Sequence, residues 1–166
     1  NLAAGTFDAV EISATDYHNS DTVSFFASAD PAAGWTRNRR RAERTVLTLD
    51  HVMASAALPL FFPPVGIGSH HFGDGCLRNQ APLSPAIHLG ADRLLIIGVR
   101  AGTGSTKHAQ GQPTLGRVLS VVLNALLMDS TESDVERLGR INRTIAAIPA
   151  AGRGAVPLRH IDLLTI

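Results

Sequence analysis

The sequence predicts an α/β fold, and three features of it carry that expectation. Phe7 to Thr15 alternates, with Val10, Ile12 and Ala14 on one side and Glu11 and Ser13 on the other, the period of a half-buried strand. A short helix capped by Ser84, with Pro85 at its first position, leads into Arg93 to Val99 (RLLIIGV). That run is apolar on both alternations, as a parallel strand covered on both faces would be. Leu115, Val118, Leu119, Val122, Leu123, Leu126 and Leu127 then recur at steps of three and four, the stripe of an amphipathic helix. Strands interleaved with helices place the chain in the α/β class.

Each element follows from local chemistry. Asp16 to Asp21 (DYHNSD) is turn-like, and Thr22 to Ser28 (TVSFFAS) is a second extended run that can pair with the first as a hairpin. From Asp30 to Arg44 the composition changes to Pro31, Gly34, Trp35 and five arginines, Arg37, Arg39, Arg40, Arg41 and Arg44. This suits either a basic patch for lipid headgroups or an acidic partner, or a solvated connector with Trp35 tucked into a nearby groove. Thr48 to Leu58 is a short helix, with Thr48 at the N-cap, Asp50 at the positive end of the dipole and Pro59 as the stop. Leu60-Phe61-Phe62-Pro63-Pro64 is an apolar, rigid corner that suits a substrate wall or core packing.

Val65 to Ile67 and His70 to Phe72 flank Gly68-Ser69, a glycine-first hairpin turn. Gly90 lies just past the end of the Ser84 helix. Ala101 to Pro113 is a polar, glycine-rich loop with the composition of a disordered segment, and it lacks the third glycine of a dinucleotide fingerprint. Asp129 to Ile148 continues or restarts the preceding helix. Gly152 to Pro157 breaks it, and His160 to Ile166 is a last strand.

Composition narrows the function. At 166 residues the chain is long enough for one domain with a real core. A formal net charge of +1 gives no general attraction to nucleic acid or anionic membrane. The 17% charged content is low and suggests burial against polypeptide outside these residues. The single Cys76 excludes an internal disulfide framework. The opening NLAAGTFDAV has no Met, basic start or apolar leader core, and no apolar run reaches the length of a membrane span. The expectation is a piece of a longer protein, with a cytoplasmic location favoured.

Candidate chemistry centres on the turn Gly73-Asp74-Gly75. Glycine permits positive φ and close approach, so Asp74 can sit on a sharp turn with its carboxylate outward. There it is either a general base for a hydroxyl nucleophile supplied by a neighbouring loop, or a turn aspartate satisfying its own backbone. A metal site from His70, His71 and Asp74 is disfavoured, because adjacent strand histidines point to opposite faces and the remaining two ligands are too few. A Ser-His-Asp triad lacks its elbow, since neither Gly66-Ile67-Gly68-Ser69 nor Gly102-Thr103-Gly104-Ser105 places serine between correctly spaced glycines. Cys76 has no neighbouring activating cation except Arg78, and a small buried thiol is its ordinary alternative.

Three stretches in order, HVMASAALPLFFPPV (51–65), FGDGCLRNQAPL (72–83) and PAIHLGADRLLIIG (85–98), resemble the second half of the patatin-like phospholipase (lipid acyl hydrolase) family. LLMDSTESDVERLGRINR (126–143) is similar to the long helix of its bacterial members. The resemblance implies that residues 1–166 form the C-terminal portion of a single patatin-like domain with a three-layer α/β/α fold. It further implies a Ser-Asp dyad that hydrolyses lipid or other carboxylic esters without metal or organic cofactor. Asp74 matches the dyad aspartate and Gly75 the following glycine, whereas Cys76 stands where glycine or alanine is usual. The serine elbow and the glycine-rich oxyanion loop would precede Asn1. This chain alone is therefore expected to be inactive, to self-associate or pair with the missing part of its domain, and to meet a lipid or ester substrate, with peripheral membrane contact. The alternative is a non-catalytic remnant of the fold that binds lipid or protein through Trp35 and the arginines.

Overall fold

The computed structural model describes residues 4–31, 33–78, 83–97, 112–148 and 159–165. The fold is α/β, in two compact units, Asn1–Gly90 and Ala91–Ile166.

The first unit is a mixed six-stranded sheet. Its strands are β1 (Ala9–Asp16), β2 (Thr22–Ser28), β3 (Thr36–Arg37), β4 (Arg40–Arg44), β5 (Val65–Ile67) and β6 (His70–Asp74), in the spatial order β3-β4-β2-β1-β6-β5. The expected β1–β2 hairpin is present, antiparallel from Ala9↔Ser28 to Thr15↔Thr22. So is the β5–β6 hairpin, whose Gly68 takes φ +61°. The stretch from Asp30 to Arg44 is not a plain connector. It folds into β3 and β4, and β4 runs parallel to β2 from Thr22↔Arg40 to Phe26↔Arg44. Trp35 is indeed tucked in, stacked between Phe26 and His88.

Successive residues of β2 point to opposite sides. Phe25 joins Ala14, Val23 and Phe72 in a core with Ala54 of helix α1 (Leu49–Ser55), while Phe26 meets Trp35. Thr48 is the N-cap of α1 as expected. Its N–H donates to Nδ1 of His51 at 3.1 Å, and the buried His51 ring packs edge-on against Phe25. The Ser84 helix is α2 (Ser84–His88), but its N-cap is Leu83, with Ser84 already inside the first turn. Gly90, at φ +105°, lies just past its end.

In the second unit, β7 (Arg93–Ile96) and β8 (Asp162–Thr165) pair in parallel from Arg93↔Asp162 to Ile96↔Thr165. The expectation of a strand covered on both faces is not met, because Leu94 is buried whereas Leu95 and Ile97 are exposed. The two predicted helical stretches form one helix, α3 (Leu115–Ala147), capped by Thr114, whose hydroxyl accepts the N–H of Arg117 at 3.3 Å. Leu138 and Ile145 are buried, but Leu115, Val118, Leu119 and Val122 of the apolar stripe are exposed. Asn142 ties α3 to the approach of β8, donating to the carbonyl of Ile161 at 2.7 Å and accepting its N–H at 3.1 Å. The glycine-rich loop, apart from its last residues, and the Gly152 break lie outside the described residues. No helix among the described residues is long and apolar enough to cross a membrane.

Candidate functional site

Asp74 is the last residue of β6 and the N-cap of a 3-10 turn, Gly75–Leu77. Three contacts fix it. Its N–H donates to the carbonyl of Ala57 at 3.0 Å, its carbonyl accepts the Thr15 hydroxyl at 2.8 Å, and its Oδ1 accepts the Cys76 N–H at 2.7 Å. The residue is 7% exposed, so its carboxylate does not project outward as the glycine-flanked turn suggests. It is nonetheless not spent in an ion pair among the described residues.

The flanking glycines serve close approach. Neither has positive φ. A Cβ on Gly75 would run into the backbone and Cβ of Ser13 in β1, and one on Gly73 would enter the ring of Tyr17. Tyr17 is the residue that motif spacing does not pick out. Its N–H donates to the carbonyl of His71 at 2.9 Å, and its phenol lies across Gly73 with the hydroxyl nearest. Burial, and then the charge of Asp74, raise the Tyr17 pKa above its ordinary value. No signal in the sequence alone picks it out, because its position over Gly73 follows from the β1–β6 register, in which Thr15 pairs with Gly73.

Cys76 is exposed, yet its thiol is pushed up to about 11 by partial burial, by the charge of Asp74 and by a hydrogen bond to that carboxylate. A thiol raised in this way is a poor nucleophile at neutral pH, which argues against Cys76 in that role.

The histidines divide among partners. His70 Nδ1 lies 2.7 Å from Asp16 Oδ2, while His71 Nδ1 lies 3.3 Å from His18 Nε2. Asp16 is fully buried, and its carboxylate also takes the His18 N–H at 2.9 Å and Arg41 Nη2 at 3.1 Å. Burial pushes the Asp16 pKa up, but the hydrogen bonds from His18 and His70 and the charges of His70 and Arg41 outweigh it and hold the pKa below the ordinary value. No group of three or more His, Cys, Asp or Glu among the described residues is arranged to hold a metal ion. Of the five arginines, Arg41 is engaged twice, with Asp16 and with Glu43 at 2.7 Å, and Arg44 donates to the carbonyl of Ser28.

The segment whose Ala57 carbonyl holds Asp74 leads straight into the apolar corner. Leu60, Phe61 and Phe62 are 81%, 65% and 56% exposed, so the corner is not core, and Leu60 sits at φ +71°, a conformation unfavourable to a branched side chain.

Among protein-family models, the patatin-like phospholipase model matches residues 2–87, the span that contains the sheet, Tyr17 and Asp74. No curated protein matches the sequence.

Proposed function

Because the chain belongs to the patatin-like phospholipase family, a family of hydrolases, we propose that it is part of a serine-dependent lipid acyl hydrolase in which Asp74 is the base. The serine and the oxyanion donors come from polypeptide outside these residues, and the complete domain has three α/β/α layers. The observation that carries the proposal is the state of Asp74. It is placed by backbone bonds on both of its peptide groups and by one N–H on Oδ1, and no ion pair among the described residues occupies the carboxylate.

An ionised carboxylate so fixed takes the serine proton as the serine oxygen attacks the ester carbonyl. Donors in the preceding loop hold the tetrahedral oxyanion. The proton then passes from Asp74 to the departing alkoxide; water, deprotonated by the same carboxylate, attacks the acyl-serine, and the proton returns to the serine oxygen as the acid leaves. No histidine takes part. The exposed Leu60-Phe61-Phe62 corner, which follows the Ala57 that bonds the Asp74 N–H, suits an apolar acyl substrate.

The test is Asp74→Asn in a polypeptide that includes the serine, assayed on short-chain and phospholipid esters. Loss of turnover by a thousandfold or more is expected, on the order found when one member of a catalytic unit is removed. Activity within tenfold of wild type would remove Asp74 from the mechanism.

A further inference from the structure

The fold divides the five arginines between Arg37 and Arg44 into two groups. Arg41 is spent on Asp16 and Glu43, and Arg44 donates to the carbonyl of Ser28. Arg37, Arg39 and Arg40 have no acidic partner among the described residues. These three sit together at the turn of the β3–β4 hairpin, on the edge of the six-stranded sheet, with Arg37 and Arg39 exposed and Arg40 half-buried.

That placement runs against local preference twice. Arg37 and Arg40 are direct cross-strand partners, a position where like charges repel. Arg39 takes φ +57°, a region that favours glycine, while the adjacent and better suited Asn38 does not. Nor is the turn loose. The Thr22 N–H donates to the carbonyl of Arg39 at 3.0 Å, the Ala42 N–H donates to that of Trp35 at 2.8 Å, and the Trp35 ring is stacked between Phe26 and His88. Three unpaired guanidinium groups are thus presented from a fixed base, at positions where the fold alone would favour other residues.

We propose that this turn is a docking point for an anionic bilayer surface, with Arg37, Arg39 and Arg40 meeting the phosphates of lipid headgroups. A phosphate beside Arg37 and Arg40 relieves their repulsion, and the guanidinium fork donates two parallel bonds to it. A turn exposed on a sheet edge meets a flat array of phosphates, whereas a single free ion calls for an enclosing site. Single-stranded nucleic acid fits less well, because Trp35, the aromatic next to the turn, has its ring faces taken by Phe26 and His88 and offers none to a base. The inference concerns binding alone and does not rest on Asp74 or on the hydrolase proposal.

The experiment is co-flotation of this chain with vesicles of phosphatidylcholine alone or mixed with phosphatidylglycerol, with thermal unfolding measured beside it. Binding is expected to the mixed vesicles only, and to weaken as salt is raised. Each arginine near such a surface contributes about fivefold, so changing Arg37, Arg39 and Arg40 together to Gln should weaken binding about a hundredfold. The control changes Arg117, Arg137 and Arg143, exposed on α3, to Gln, removing the same charge elsewhere with little loss of binding. Arg39→Gly separates recognition from structure: it should weaken binding about fivefold while the unfolding midpoint holds or rises, because glycine accepts the turn conformation. Equal losses in the two triple variants would reduce the effect to net charge and overturn the proposal. So would absence of vesicle binding, or binding of an RNA oligonucleotide or inorganic phosphate in its place.

Discussion

Oδ1 of Asp74 accepts the backbone N–H of Cys76 at 2.7 Å, so one carboxylate both ends β6 and starts the turn that follows it. After burial, which is the larger cause, the same carboxylate raises the thiol of Cys76 and the phenol of Tyr17. Two side chains just past the ends of the paired strands, Tyr17 after β1 and Cys76 after β6, thus feel the same charge.

The first consequence concerns Cys76. A thiol at about 11 is almost wholly protonated at neutral pH. Its reaction with a disulfide reagent should run roughly thirtyfold slower than that of an ordinary exposed cysteine, once the higher nucleophilicity of its thiolate is counted. Asp74→Asn removes the charge and should accelerate it. Equal rates in both proteins would show that the coupling is absent.

The two turn glycines should fail differently. Gly75→Ala drives a methyl into the backbone of Ser13, which cannot yield without breaking the β1–β6 pairing, and should cost about 2–3 kcal/mol in chemical denaturation. Gly73→Ala meets a side-chain ring that can swing away, so its cost should be about 1 kcal/mol with Tyr17 displaced. Equal destabilisation would contradict this contrast.

Asp16 sets an acid limit on stability. Its pKa is lowered in the fold, so its contribution is complete above the ordinary value of 3.8 and is lost as pH falls from there through the folded value. Asp16→Asn should flatten that limb. At neutral pH it should also cost on the order of 3 kcal/mol, because Arg41 and His70 lose a buried partner. A variant with the wild-type acid profile would place the titration elsewhere.

In the second unit, Asn142→Ala leaves the N–H and C=O of the buried Ile161 without their partner. A loss of about 2–3 kcal/mol is expected, with faster amide exchange at Ile161. Exchange unchanged from wild type would mean that Asn142 is not the tie between α3 and the approach to β8.

Local signals in the sequence foretold the elements whose cause is local. The β1–β2 and β5–β6 hairpins, the Thr48 cap and the helical character of both halves of α3 follow from period, turn chemistry and capping, while the sequence left open whether those halves join. What was hidden depends on pairing across distance. Arg40 to Arg44 becomes a strand only because β2 offers a parallel edge, and its arginine-rich sequence carries no strand period of its own. Tyr17 looked like turn filler because its partner, Gly73, arrives through the β1–β6 register. The stripe on α3 correctly gave a helix, but periodicity says which residues share a face and not what covers them, and Leu115, Val118 and Leu119 are exposed. Asp74 was visible as chemistry, while its burial and its bond to Cys76 required the fold.

The most direct measurement is active-site labelling by a fluorophosphonate. A polypeptide that includes the serine should label, its Asp74→Asn variant should not, and these 166 residues by themselves should not, since the proposal puts the base here and the nucleophile outside these residues. Labelling of the isolated chain, or of Asp74→Asn at the wild-type rate, would contradict the account.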